Sequence, residues 1–228
     1  MNRIAGLYVG GITTLEPEGQ STGIFKRLAE APLQLTREGF SGDTQADRRV
    51  HGGPEKAVHH YAAENYPLLA AAFPAAAGAL CPGSLGENVS SSGWTEATVC
   101  IGDTFRLGLA VVQVSQPRSP CWKINHKFGE PGMSRFIAER GITGWYYRVI
   151  EEGRVAADDA FELLERPSPE VTLARLWQAG LAHRPAIDEL AQLIAARGLN
   201  PGWVEKLAAR RDWLVENAAA SDTGASQE

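Results

Sequence analysis

The sequence predicts a mainly β fold: a curled sheet or closed, barrel-like core with peripheral helices, followed by a small three-helix domain. Three observations carry this. Glycine and proline, 24 and 13 of 228 residues, punctuate the first two-thirds of the chain closely, which favours short strands joined by tight turns. Between 98 and 114, β-type runs are separated by single turns and glycines instead of the long crossovers of a βαβ sheet. Beyond Arg166-Pro-Ser-Pro169 the apolar residues take up helical spacing.

Taken in order, Ile4 to Val9 reads as a first strand turned by Gly10-Gly11, and Ile24, Leu33 and Leu35 mark further short extended stretches. Gly39 to His51 is too polar to bury much apolar area, so it is expected on the surface or lining a site. Gly53 as N-cap and Pro54 at the first helical position predict a helix running through EKAVHHYAAENYPLLAAAF, kinked or restarted at Pro67. Thr104 to Leu107 and Leu109 to Val114 are strands around Gly108; 133–140 is a short helix, 145–150 a strand and 160–164 another. Val171, Leu173, Leu176 and Trp177, then Ile187, Leu190, Leu193 and Ile194, then Trp203, Val204, Leu207, Trp213 and Leu214 predict three helices near 170–179, 187–197 and 201–215. They are expected to pack on one another and on the core. The boundaries are 1–165 for the core, 166–216 for the helices and 217–228 for a tail expected to be disordered.

The net charge of −5 supplies no general electrostatic pull on nucleic acid or an anionic membrane. No apolar run spans a bilayer, and the N-terminus reads as a strand, not an export signal. Cys81, Cys100 and Cys121 lie in unrelated contexts with no CxxC pair, which argues against a zinc module. Three thiols without a disulfide framework suit a reducing cytoplasm.

The strongest candidate site is Val114 to His126. Pro117 and Pro120 restrain the chain where a strand ends, so Cys121 is presented at a strand exit. Arg118, Lys123 and His126 put positive or protonatable groups close by in sequence, and cations favour the thiolate that attacks electrophiles or binds soft metals. The alternative is a buried cysteine beside surface basic residues.

The second candidate is DRRVHGGPEK. Gly52 and Gly53 allow an open, amide-lined turn ahead of a helix; Arg48, Arg49 and Lys56 could hold a phosphate, and His51 could transfer a proton. It matches neither a dinucleotide fingerprint nor a Walker loop, and an ordinary turn is its alternative. Asp43 and Asp47 read as salt-bridging or site-orienting. Glu87 and Asn88 could serve a polar heterocycle, or Asn88 could satisfy backbone groups in a turn. His59 and His60, placed on a helix, point apart and make poor joint ligands; one is expected partly buried and the other solvated. Cys81 and Cys100 are expected to be packing residues.

Together GDTQAD, VHGGPEKAVHHY, SLGENVS, IGDTFRLG and VSQPRSPCWKINH, in this order, resemble bacterial MOSC-domain proteins, in particular the stand-alone group that reduces N-hydroxylated purines with molybdenum cofactor. The likeness covers about 1–165, and the three helices resemble the small domain accompanying that group. It implies a MOSC-type β-barrel-like core, molybdenum cofactor (molybdopterin) as cofactor, and Cys121 as the molybdenum ligand or, in other members, a sulfur carrier. Within the matching motifs, Gly52, Gly53, Lys56, Asn88, Arg118 and Lys123 are assigned to cofactor binding, and His51 or His126 to proton delivery. The implied activity is reduction of N–OH to N–H on 6-N-hydroxylaminopurine or a similar base. With no flavin or iron–sulfur motif visible, a separate electron-donating reductase is the implied partner. Two other readings stand beside this: a sulfur carrier using a Cys121 persulfide, and a non-enzymatic cofactor-binding or interaction protein. The sequence leaves monomer and homodimer open.

Overall fold

The computed structural model describes residues 2–47 and 52–224. Its centre is a mixed sheet built from β1 (Asn2–Val9), β7 (Val58–Ala62), β8 (Val89–Ser91), β9 (Thr104–Leu107), β10 (Ala110–Pro117), β11 (Trp145–Glu151) and β13 (Ala160–Glu165). The strands run in the order β13-β9-β10-β11-β7-β8-β1, and β1 pairs with β13, so the sheet curls until its two edges meet. Only β7 and β8 pair in parallel. Closure removes the open edges that would otherwise template pairing with another chain. The short β4 (Arg27–Leu28) extends from the far end of β1. A hairpin of β2 (Thr13–Leu15) and β3 (Gln20–Thr22) stands apart, as does a small sheet of β5 (Leu33–Thr36), β6 (Gly39–Phe40) and β12 (Gly153–Val155).

Alternation along the strands fills the barrel. On β11, Trp145, Tyr147 and Val149 point into the core, where they meet Val58, Val89, Phe105, Val112, Val114 and Phe161. The expected helix across EKAVHHYAAENYPLLAAAF is corrected here. Pro54–Lys56 forms one 3-10 turn, the chain becomes strand β7, and only Asn65–Ala72 (α1) is helical. A Pro-initiated start mimicked a helix signal, but Val58-His-His-Tyr-Ala62 is buried throughout and occupies a central strand, and such apolar runs cannot be assigned by periodicity alone. The expectation for the histidine pair fails with it, since both His59 and His60 are buried. Cys81 is exposed rather than packed, whereas Cys100 is buried as expected.

Outside β7 a second apolar cluster joins Tyr61, Tyr66 and Leu69 to Ile124, Met133 and Ile137. It seats α2 (Trp122–Phe128) and α3 (Met133–Arg140) against the barrel wall, and so fixes the chain that carries Cys121.

The C-terminal helices are α4 (Leu173–Leu181), α5 (Ile187–Ile194) and α6 (Pro201–Gly224). The last continues past 217, where the disordered tail was expected to begin, through a run of alanines with high helix propensity. These helices share one continuous core with the barrel. Backbone bonds stitch the two together: Ile101 to Val171, Leu173 to Val99 and Asn200 to Ser115. At the closest seam Gly102, at φ +80°, meets Gly198, at φ +87°, with room for no side chain at either. No helix among the described residues is long and apolar enough to cross a membrane.

Candidate functional site

The period of two that fills the barrel also builds the floor of a cleft on its outer face. His59 pairs across the strands with Tyr146, so while His60 and Tyr147 enter the core these two face outward together, ring centroids 5.4 Å apart. Beside them β10 ends at Pro117; Arg118 donates its amide to the Gly144 carbonyl at 3.0 Å, and Cys121 becomes the N-cap of α2. Its backbone is extended, with φ −122° and ψ 164°, and its side chain makes no capping bond. The thiol is half-exposed and lines the cleft. The strand exit therefore delivers Cys121 as its two prolines suggested.

The cleft encloses about 630 Å³ including its mouth. Lys26, Lys56, Arg118 and Lys123 line it against two carboxylates, Asp43 and Asp47, so it is electropositive in a chain of net charge −5. Arg118 is 5% exposed. Its Nη2 donates to the Leu85 carbonyl at 3.3 Å and its guanidinium holds the Tyr146 hydroxyl, yet Nη1 has no partner among the described residues. His59 Nε2 is likewise buried without a partner. Buried polar groups are nearly always satisfied; Arg118 Nη1 and His59 Nε2 are two exceptions among the described residues, and both belong to side chains that line the cleft. Burial and the Arg118 charge hold His59 well below the usual imidazole range, so it is neutral. Burial pushes the Tyr146 hydroxyl up, partly offset by Arg118, so it keeps its proton and can donate a hydrogen bond. Burial also lowers Lys56.

One wall is held by Asp43. It accepts from the Gly10 amide at 2.9 Å and from Asn88 Nδ2 at 2.8 Å, and pairs with Lys26. Asn88 in turn accepts from the His59 amide at 3.1 Å and donates to the Tyr8 carbonyl at 3.2 Å. Asn88 thus lines the cleft but spends its amide on backbone and Asp43, the turn-satisfying role. Asp43 is salt-bridged, one of the two roles expected of it. Among the described residues no three His, Cys, Asp or Glu side chains gather to hold a metal ion. Glu87 is fully buried beneath the cleft, held by Tyr66 and by the Gly83 and Leu85 amides.

Of the residues singled out in the sequence, Asp43, Asp47, Lys56, Asn88, Arg118, Cys121 and Lys123 come together in this cleft. Gly52 and Gly53 do not line it; they form the turn behind Lys56, where the Gly53 amide donates to Gln45 Oε1 at 3.4 Å. His126 is turned away, its Nε2 2.7 Å from Glu18 Oε2 on the hairpin loop. His51, with Arg48 and Arg49, lies outside the described residues. Sequence reasoning missed Lys26, His59 and Tyr146. His59 and Tyr146 become legible only once 58–62 is read as a strand; Lys26 carries no signal beyond a lone lysine in GIFKRL.

A MOSC domain is matched over residues 47–162, from Asp47 on the cleft through β7 to the first residues of β13 and including the Cys121 segment; β1, Lys26 and Asp43 precede it. The chain belongs to the MOSC-domain family. It is 41% identical to Protein YiiM of Escherichia coli over 90% of this chain and 91% of that one. It is 39% identical to the uncharacterized protein YflK of Bacillus subtilis, over 93% and 96%. The crystal structure of YiiM from Escherichia coli superposes with a TM-score of 0.77 at 33% identity, covering 92% of each chain. That from Geobacillus stearothermophilus gives 0.78 at 28%, covering 92% of this chain and 100% of its own. A protein named Reductase from Gibberella moniliformis is 33% identical over 75% of this chain, which spans only 31% of its length.

Proposed function

We propose that the chain is a molybdenum-cofactor-dependent oxidoreductase that reduces N-hydroxylated bases, such as 6-N-hydroxylaminopurine, to the amino form. One observation carries the reading: a half-exposed cysteine thiol that makes no capping bond shares a cleft with four cations and two buried donor or acceptor atoms that have no partner among the described residues. That set fits molybdopterin. A soft thiol suits the metal, and Lys56, Arg118 and Lys123 suit the phosphate arm and other anionic groups. The cofactor, when bound, supplies the two-electron chemistry and accepts the oxygen atom. The rest belongs to the chain. Cys121 Sγ is the metal ligand; Arg118 Nη1 and Tyr146 Oη donate hydrogen bonds towards oxygen in the cleft. Of the two histidines expected to deliver the proton, His126 is engaged with Glu18 and His51 lies outside the described residues. A separate electron-donating reductase recharges the centre, a role in keeping with the fungal relative's name and greater length.

The test is elemental and pterin analysis after expression in a molybdenum-replete host, comparing wild type with Cys121→Ser. The expected result is about one molybdenum per chain in wild type, lost or strongly depleted in the variant together with N-hydroxy reduction. A wild-type protein that retains no molybdenum but carries a reducible persulfide on Cys121 would replace this reading with sulfur transfer.

A further inference from the structure

A second basin lies beyond Lys26, bounded by Val9 to Gly11, Thr13 and Thr14, the segment Phe25 to Leu28, and Lys127 at the far end of α2. Lys26 lines both hollows and is the partition between them. The basin's charged lining residues are Lys26, Arg27 and Lys127, with no carboxylate among them, in a chain whose net charge is −5. Lys26 is committed to Asp43, and Lys127 to the Ile24 and Ser84 carbonyls while sitting 5.1 Å over the Phe25 ring. Arg27 is exposed; its backbone pairs with Val9 in the β1–β4 ladder, and its guanidinium has no hydrogen-bond or ion-pair partner among the described residues. Phe25 is 40% exposed beside it, and a Cβ at Gly11 would meet only open space, so the floor is open to a ligand.

Resting on the reading of the preceding subsection, we propose that this basin is a phosphate subsite, and that the substrate is an N-hydroxylated nucleoside monophosphate rather than the free base alone. The helix α2 sets the span. It carries the Cys121 end at the cleft and Lys127 six residues later at the basin, about 9 Å of helical rise, a reach suited to a mononucleotide stretched from its base edge to its phosphate. The base enters the Cys121 cleft, the sugar crosses the Lys26 partition, and the phosphate meets the planar guanidinium of Arg27, which binds such oxygens in pairs, with the Lys127 charge behind it. A phosphate fits this lining better than an uncharged tail, because Arg27 and Lys127 face the basin and no carboxylate is among its described lining residues, the Lys26 charge being taken by Asp43.

The experiment is calorimetric titration of the full chain, cofactor-loaded and cofactor-free, with 6-hydroxylaminopurine, its ribonucleoside, its 5′-monophosphate and adenosine 5′-monophosphate. The monophosphate is expected to bind about tenfold more tightly than the nucleoside, the scale of one charge-assisted contact, with the advantage shrinking as salt rises. In Arg27→Gln most of that ratio disappears, and Arg27→Glu inverts it. Equal affinity for nucleoside and monophosphate, or an undiminished ratio in both variants, overturns the proposal even where the free base is reduced. An Arg27-dependent phosphate advantage seen with adenosine monophosphate, in a protein that reduces no N-hydroxylated compound, supports the phosphate subsite but removes the activity it was placed beside.

Discussion

Acidification from pH 7 to pH 5 destabilises this fold through His60. The imidazole is fully buried inside the barrel, stacked 4.3 Å from Trp145, with Nδ1 3.0 Å from the Tyr147 hydroxyl and Nε2 3.0 Å from the Ser91 hydroxyl. Nothing there welcomes a charge, and burial lowers its pKa from 6.5 to about 3. Between those two values the unfolded chain binds a proton that the folded chain refuses. The stabilising contribution is therefore complete above pH 6.5 and declines as the pH falls towards 3. Integrated from pH 7 to pH 5, the single group costs about 2 kcal/mol.

His59, also held neutral, acts in the same direction. Glu87 and Glu96, raised by burial, act in the opposite one, because the folded state prefers them protonated. A comparison with His60→Gln cancels these shared contributions. Urea unfolding of the cofactor-free protein at pH 7, 6 and 5 measures both chains. The variant is less stable at pH 7, having lost the ring stack, but its decline to pH 5 is expected to be smaller than wild type's by about 2 kcal/mol. Parallel declines in the two proteins would refute the argument that His60 is held neutral.

Three further outcomes follow from the packing. Asp43→Ala strands the Lys26 ammonium, whose side chain is 6% exposed, and is expected to cost about 3 kcal/mol; adding Lys26→Met recovers part of it in denaturant melts, and a single variant as stable as wild type would show the pair is idle. Gly102→Ala places a methyl against the Arg197 carbonyl at a positive φ and is expected to cost at least about 2 kcal/mol, with barrel and C-terminal helices still unfolding in one transition by calorimetry. Cys121→Ser removes no capping bond, so its unfolding free energy in the cofactor-free form is expected within about 1 kcal/mol of wild type, so that a change in bound metal can be told apart from loss of fold.

Much of the architecture was legible without coordinates. Single glycines and turns between β-type runs announced short strands, and their turn-rich spacing announced a curled sheet; the helix at 133–140 and the three after 166 followed from apolar spacing. The Cys121 segment was legible because local covalent constraint, two prolines around an arginine, acts on near neighbours. What failed was Val58 to Ala62: a run buried on both faces, with a histidine on each, carries no apolar period, and its position between β8 and β11 makes it a strand.

That single placement decided the rest of the site. In the sequence His59 and His60 are adjacent and equivalent. In the barrel the pleat sends one to the core and the other to the cleft opposite Tyr146. Lys26, 95 positions before Cys121 in the chain, reaches the same cleft only because β1 is bridged to β8 and Asp43 anchors the wall between them. The sequence alone determined the class of fold and the presentation of Cys121 at a strand exit beside Arg118 and Lys123, because those depend on local patterning and residue type. Which cations, which histidine and which tyrosine share the thiol's cleft was decided by tertiary structure, because strand register and long-range closure leave no trace in residue spacing.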